Sequence, residues 1–586
     1  MKFTNTQLIK MSGVARAGAL RAIRAAGGGH LGIVMGAADI LTALYASHLN
    51  LPDDRFVLSA GHGSALLYSV LKLRGYDLPP LESFRKTGGL PGHPELSVNG
   101  VSAATGPLGQ GVGMSVGMAF AEKIKNTDSR IYCLASDGDL SEGVAGEAIA
   151  VAGRYKLNNL ILLWDDNGIT IDGAALTDLD LPMRFRAAGW NVLKCNGNKF
   201  SEINAALTAA KKSRRPVFIQ CKTILGFGTR VAGTPLAHGM ALSTNELDTL
   251  IQKYDDKIGE NLWSQMGKIS TKNLLINNIK GGELVIDNSE NSTRELSGKY
   301  LEKLLKLNPK NMIGLSADLS KNTNVFTDAS VRISGDNFNG NFLDVGVREH
   351  AMAAIMNGLC LGGFYAYGGA FLVFSDYMRG AMRLSALMGL PVIYVLTHDS
   401  ILVGEDGPTH QPIEQIAGLR LMPNMNVFRP SNAAEIKASW DMALNEKSRP
   451  SCIILSRQKF LQIAGDGKDL EFGTEIITER ADAKITLIAT GSEVPLAIQV
   501  AEKIKARVVS MFSVEKFRAS PDEHKSKILR GRVIAIEAGA SAAWYEFADA
   551  VVGIDRFGVS GDGAQIYREF GFDSDIIADE ISKNFQ

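Results

Sequence analysis

The 586-residue sequence is poor in cysteine, and the few present form no pattern. Cys133, Cys195, Cys221, Cys360 and Cys452 are scattered, odd in number and without Cys-x-x-Cys spacing, which argues against a disulfide framework or a zinc site and suits a reducing cytoplasm. Net charge is absent too. Lys plus Arg total 62, Asp plus Glu total 62, and the pI is about 7.1, so no bulk field recruits nucleic acid or an anionic membrane. The opening residues, Met-Lys-Phe-Thr-Asn-Thr-Gln, carry no apolar h-region, and no signal peptide is expected. No repeat or low-complexity tract stands out. Charge-free apolar runs of membrane-spanning length are lacking save one, 351–374. Gly358, Gly362, Gly363, Gly368 and Gly369 interrupt that run, and Glu349 and Asp376 flank it. It reads as a buried helix, a loop and a strand.

What is present is ordinary globular composition, 45% apolar and 21% charged, on a chain too long for one core. Short apolar runs alternate with segments of helical period, the pattern of α/β domains built on parallel sheets with helices on both faces. Residues 1–263 form a first such domain, with strands at 56–59, 131–134, 160–164, 190–193 and 217–221. A polar, mixed segment, 264–293, reads as a linker. Residues 294–465 form a second domain, with strands near 312–317, 342–345, 391–397, 426–428 and 451–455. Residues 473–586 form a third, smaller α/β domain, with strands at 485–489, 506–510 and 533–537. Its loops hold no comparable cluster of histidines and acids, so a structural or dimer-supporting role is expected.

The stretch 135–170 carries the sharpest chemistry. It reads Ala-Ser-Asp-Gly-Asp-Leu-Ser-Glu-Gly, a helical run, then Trp-Asp-Asp-Asn-Gly-Ile-Thr. Ser141 and Glu142 sit where caps and first-turn acids are favoured. Asp137 lies at the carboxyl end of one buried strand and Asn167 at the carboxyl end of the next, the edge at which open α/β sheets bind ligands. The Asp137 carboxylate, the Asn167 amide oxygen and the Ile169 carbonyl can meet on one hard cation. Mg²⁺ prefers such oxygens and shares its shell with phosphate, so the stretch reads as a divalent-metal anchor for a diphosphate. Asp-Gly and Asn-Gly are also common turn pairs, and mere turn-capping is the alternative.

Three histidines, His30, His62 and His93, each stand beside glycine in a loop, and His238 lies in the loop 226–240. The trio favours a polar site where imidazoles contact a ligand. Thr105-Gly106-Pro107-Leu108-Gly109-Gln110-Gly111 leads into a helix, and its glycines let backbone amides approach an anion. It is not a dinucleotide fingerprint, because the glycine spacing differs. In the second domain, 346–350 opens a helix with Glu349. A polar loop, His398-Asp399-Ser400 through Gly404-Glu405-Asp406-Gly407-Pro408-Thr409-His410-Gln411-Pro412, follows a buried strand.

Together these motifs resemble a transketolase, a thiamine-diphosphate enzyme, over nearly the whole chain and in the same domain order. The spacing of Asp137 and Asn167 is similar to the thiamine-diphosphate signature, with Ser136 in place of its first glycine. The resemblance implies a diphosphate-binding first domain, a pyrimidine-binding second domain and a C-terminal domain. It implies reversible transfer of a two-carbon ketol unit from a ketose phosphate, such as xylulose 5-phosphate, to an aldose phosphate, such as ribose 5-phosphate or erythrose 4-phosphate, in the pentose phosphate pathway. Asp137, Asn167 and Ile169 would hold Mg²⁺ or Ca²⁺. His62, Gly106, Leu108, Gly138, Asn167 and His238 would contact the cofactor, with Phe371, Phe374 and Tyr377 around its pyrimidine. The i, i+3, i+6 spacing of these three is also what ordinary helix packing produces. Glu349 would bond the pyrimidine, its pKa raised by burial. A helix-start acid is the plain alternative for it. His30, His93, His410 and His62 would bind the substrate's carbonyl and hydroxyls and shuttle protons near neutral pH. Asp406 would read a sugar hydroxyl, and Arg294, His398 and Arg457 would hold the sugar phosphate. A homodimer is implied, the Asp137 domain of one chain facing the Glu349 domain of its mate. The chain departs from the family at Leu31, where proline is usual, and at Asn322, near an expected serine. It is also shorter, mainly between residues 240 and 294. Rivals are 1-deoxyxylulose-5-phosphate synthase, dihydroxyacetone synthase or a catalytically silent homologue.

Overall fold

The computed structural model describes residues 3–174, 180–239, 242–267, 269, 276, 278–284 and 290–585. The chain divides into two compact units, one of Met1–Leu275 with Ser334–Asn339 and Leu361–Gly363, the other of Ile276–Ile333, Gly340–Cys360 and Phe364–Gln586.

In the first unit the strands are β1 (Arg55–Leu58), β2 (Ile131–Ser136), β3 (Leu160–Asp166), β4 (Ile169–Thr170), β5 (Gly173–Ala174), β6 (Asn191–Asn196) and β7 (Val217–Lys222). Five make one parallel sheet in the order β1-β2-β3-β7-β6, and β4 and β5 form a small hairpin beyond β3. Every residue of β2 and β3 is buried, because helices cover both faces of a parallel sheet and leave no strand position to water. The helix Asn5–Ala26 packs on this core, started by a Thr4–Gln7 capping box and ended by Gly27 in the left-handed region.

The second unit holds β8 (Met312–Ser316), β9 (Phe342–Asp344), β10 (Tyr365–Phe371), β11 (Ile393–Thr397), β12 (Asn426–Phe428) and β13 (Ser451–Leu455) in a parallel sheet ordered β12-β13-β11-β10-β8-β9. It also holds β14 (Glu475–Thr478), β15 (Ile485–Ala489), β16 (Arg507–Ser510), β17 (Arg532–Ile536) and β18 (Ala550–Val552), ordered β14-β16-β15-β17-β18, with β14 antiparallel at the edge. The glycine-broken run 351–374 is the helix Glu349–Leu361, the strand β10 and a 3₁₀ turn, as its glycines require. Among the described residues no helix is long and apolar enough to cross a membrane. The linker 264–293 falls partly outside the described residues. Of its described part, Ile276, Ile279 and Leu284 pack on the second unit's core, and Asn308 accepts from the Lys280 amide at 2.9 Å.

Candidate active site

The first unit's site is built where β1, β2 and β3 end. Ser136 closes β2, and Asp137–Ser141 is a single helical turn before a break at Glu142 and a second helix, Gly143–Arg154. The cap is therefore Ser136 rather than Ser141. The Ser136 hydroxyl accepts from the Asp139 amide, and the Asp139 carboxylate accepts from the Ser136 amide at 3.0 Å, a reciprocal box that a glycine at 136 could not make. Glu142 precedes the second helix without a side-chain cap.

Asp139, which was not singled out from the sequence, ties this corner together. Its fully buried carboxylate accepts from the Ser59 hydroxyl at 2.6 Å, the Gly109 amide at 2.8 Å, and the Ser136 amide and hydroxyl at 3.0 and 2.9 Å. One side chain thus joins the end of β1, the glycine loop 105–111 and the end of β2. Gly109 sits at φ 77°, and a Cβ there would come within 2.7 Å of the Glu142 side chain, so no other residue fits. Gly61 is equally constrained, since its Cβ would stand 2.7 Å from the Gly106 amide nitrogen. That close approach brings the His62 turn onto the loop holding Gly106 and Leu108.

Asp137 and Asn167 face one turn. The Gly168 amide donates to Asp137 at 3.2 Å, and the Ile169 amide donates to the Asn167 side-chain oxygen at 3.1 Å. Asp137 is buried, with Asp165 and Asp166 close by; burial first, and then those two carboxylates, push its pKa up to about 7. Asp165 is likewise pushed by burial up to about 6, while Lys222 lies 3.1 Å from Asp166. Buried carboxylates beside the Asn167 amide oxygen form a donor set that suits a hard divalent cation. Among the described residues no cluster of three or more His, Cys, Asp or Glu side chains could hold a metal, so any cation here would draw on the amide and carbonyl oxygens as well.

The imidazoles converge. His30 lies 5.4 Å from His62, 6.0 Å from His93 and 5.7 Å from His238 between ring centroids, and His62 and His238 are 5.7 Å apart. Gly106 backs onto the His93 ring, and Leu108 onto Gly138. Burial, helped by Arg85 and the neighbouring rings, lowers His30 to about 4; burial and the other rings lower His62 to about 3, and burial also lowers His93 and His238. Burial therefore favours the neutral form of these rings, in which an imidazole offers one donor and one acceptor nitrogen.

In the second unit, aromatic rings and histidines form a ladder. His398 lies 3.8 Å from Phe371, Phe371 lies 6.0 Å from Phe374, and Phe374 lies 6.0 Å from Tyr377 and 5.2 Å from His410. The i, i+3, i+6 spacing does not report a helix here: Phe371 ends β10, Phe374 ends a 3₁₀ turn, and only Tyr377 is helical. Tyr377 is 66% exposed, a large aromatic left open to solvent in the isolated chain. Burial, with Arg294, Arg457 and His410 nearby, lowers His398 to about 3, and Arg457 in turn helps lower Arg294. Arg294 donates to the Asn322 carbonyl at 2.6 Å, while its buried Nε has no protein partner. An unmatched donor among two guanidiniums and an imidazole is an arrangement that suits an anion. Asn322 thus steadies Arg294 through its backbone. Glu349 begins its helix half-buried, and burial raises its pKa. Asp406 ends the 3₁₀ segment Ile401–Asp406 and is exposed.

Parallel α/β sheets with an acid–amide turn, a glycine loop and an aromatic–histidine ladder define a class, the thiamine-diphosphate enzymes. Three family models match the chain: transketolase, thiamine diphosphate binding domain, over 8–261; transketolase, pyrimidine binding domain, over 289–462; and transketolase-like TK C-terminal domain, over 473–573. A transketolase of Rhodobacter capsulatus is 38% identical, covering 98% of this chain and 97% of its own, and one of Bacillus subtilis is 39% identical, covering 94% and 95%. Among solved structures, a transketolase from Leishmania mexicana superposes with TM-score 0.92 at 32% identity, covering 99% of this chain and 98% of its own. A Pichia stipitis transketolase in complex with sedoheptulose 7-phosphate gives TM-score 0.89 at 33% identity, over 99% and 97%. The chain belongs to the transketolase family and is an enzyme of that class.

Proposed function

We propose that the chain moves a two-carbon ketol unit between sugar phosphates, from a ketose such as xylulose 5-phosphate to an aldose such as ribose 5-phosphate, within the pentose phosphate pathway. The observation that carries the substrate class is the anion pocket of Arg294, His398 and Arg457, with its unmatched Arg294 Nε. The sugar-phosphate complex of a transketolase of the same fold supports it.

The residues present fit the cofactor. The Gly106 amide lies against Gly61 in the His62 turn, and the acid–amide turn at Asp137, Asn167 and Ile169 would hold Mg²⁺ or another divalent cation against a diphosphate. Thiamine diphosphate, when bound, supplies a stabilised carbanion at its thiazolium C2. Phe371, Phe374 and Tyr377 would pack against the cofactor's planar pyrimidine. Glu349, whose carboxyl burial biases toward the protonated form, would hold a proton toward a ring nitrogen of the cofactor. His30, His93 and His410, with Asp406, orient the sugar's carbonyl and hydroxyls. His62 and His238 line the cofactor side. Arginine's planar fork sets the phosphate distance and so the register of the ketose against the reactive carbon.

We further propose a homodimer in which the first unit of one chain completes its site with the second unit of its mate; exposed Tyr377 and Val347, 73% exposed beside Glu349, support this. Five buried cysteines, none in a disulfide, are consistent with a cytoplasmic setting. The test is product analysis of the purified protein with xylulose 5-phosphate, ribose 5-phosphate, thiamine diphosphate and Mg²⁺. Sedoheptulose 7-phosphate is expected; its absence, or formation of 1-deoxyxylulose 5-phosphate from pyruvate and glyceraldehyde 3-phosphate instead, refutes the reading.

A further inference from the structure

Arg429 follows β12 and is wholly buried, its side chain 0% exposed. Its Nε and Nη2 donate to one oxygen of Asp399 at 3.2 and 2.9 Å. Nη1 donates to Glu493 and to the Thr490 carbonyl at 3.3 Å and reaches Glu537 at 3.4 Å, while Nη2 also meets the Ser492 hydroxyl at 3.1 Å. The acids are themselves held. Arg420 grips Glu537 through two bonds of 2.7 and 3.0 Å, the Trp544 indole donates to Glu537 at 2.7 Å, and the Tyr567 hydroxyl donates to Glu493 at 2.6 Å. The Ser492 hydroxyl lies 2.9 Å from Asp399.

Glu493 and Glu537 stand just past the carboxyl ends of β15 and β17, the edge of a parallel sheet that usually receives ligands. Here an arginine from the neighbouring sheet fills it. A buried ion cage adds little net stability over an apolar plug of the same volume, so its value lies in fixing a position. The position it fixes is Asp399, the residue after His398. His398 has φ +65°, a left-handed conformation that a non-glycine residue keeps only when its surroundings hold it. Its ring is set by the Thr397 hydroxyl at 2.8 Å and by Phe371.

We propose that Arg429 is a positioning residue: by clamping Asp399 into the third sheet's acidic socket, it holds His398 in its left-handed turn and so fixes the His398–Arg294–Arg457 anion pocket. The third sheet thereby acts on substrate affinity without touching substrate. This rests on the phosphate reading of that pocket, and the test separates the two. In the holoenzyme, Arg429→Lys keeps the charge but loses the fork, and Arg457→Met serves as reference. Steady-state kinetics use xylulose 5-phosphate and hydroxypyruvate, a ketol donor without phosphate. Arg429→Lys is expected to raise KM for xylulose 5-phosphate by about tenfold, with kcat and the hydroxypyruvate KM within about threefold of the parent. If Arg457→Met leaves the xylulose 5-phosphate KM unchanged, the phosphate reading falls. If Arg457→Met raises it and a folded Arg429→Lys does not, or raises both donors' KM alike, the positioning role falls. Should Arg429→Lys fail to fold, Ser492→Ala removes one contact each from Arg429, Asp399 and Glu493. A selective rise of about threefold is then expected, and an unchanged KM overturns the proposal.

Discussion

Asp139→Asn tests how the first unit's site is held. The carboxylate accepts four hydrogen bonds, from Ser59, Gly109 and twice from Ser136, in a place with no water access. The asparagine keeps one acceptor oxygen and turns an NH₂ toward donors, so two of the four are left facing a donor. Each buried unmatched donor costs about 1–3 kcal/mol, and the charge that strengthened the rest is gone. Burial works the other way, raising the Asp139 pKa and so lowering the cost of losing the charge. The balance is a loss of about 3 kcal/mol, or a fall of roughly 6–12 °C in the melting of a domain of this size. Because Gly109 is one of the released donors, the 105–111 loop should loosen as well. Titration calorimetry with thiamine diphosphate and Mg²⁺ should show affinity reduced by about tenfold or more, equal to about 1.4 kcal/mol. A melting temperature within about 2 °C of the parent, with unchanged affinity, would refute the claim that Asp139 organises this corner.

Glu349→Ala should abolish turnover while circular dichroism and the melting temperature stay close to the parent; retained activity would remove Glu349 from the chemistry. Chelation should abolish activity, and Mg²⁺ or Ca²⁺ should restore it; activity indifferent to chelator would contradict the Asp137–Asn167 cation site. Glu435 is fully buried, accepts from the Ser431 amide and hydroxyl at 2.6 and 2.9 Å, and is pushed by burial and then by Glu475 up to about 8. A folded pKa raised this way gives stability that is complete below the ordinary carboxyl range and is lost as pH rises toward 8, where the folded state must release a proton it prefers to keep. The melting temperature of Glu435→Gln relative to the parent should therefore climb between pH 5 and pH 8; a pH-independent difference would contradict the assigned shift.

The parallel α/β architecture was legible because buried strands announce themselves as unbroken apolar runs such as 131–134 and 391–397. Asp137 and Asn167 were legible as candidates because each follows such a run. Asp139 was not: in Asp-Gly-Asp the second acid reads as a turn residue, and its partner Ser59 is 80 positions away. Arg429 was hidden for the same reason, since an arginine before Pro430 looks exposed until acids 30, 64 and 108 positions distant enclose it. The third domain, from its sequence, reads as structural or dimer-supporting. The edge strands β14 and β18 escaped notice because half-buried strands lack a continuous apolar signature. The histidines' spacing suggested a site, but the bias of their rings toward the neutral form follows from burial, which spacing does not encode.

The proposed homodimer joins the Asp137 turn of one subunit and the Glu349 helix of its mate in one site. Asp137→Ala and Glu349→Ala, each inactive alone, should be unfolded together, refolded as a mixture and assayed for ketol transfer. Random reassortment makes half the dimers hybrid, each with one intact site, so activity should return to about a quarter of the parent's. A mixture no more active than the two variants measured separately would contradict the account.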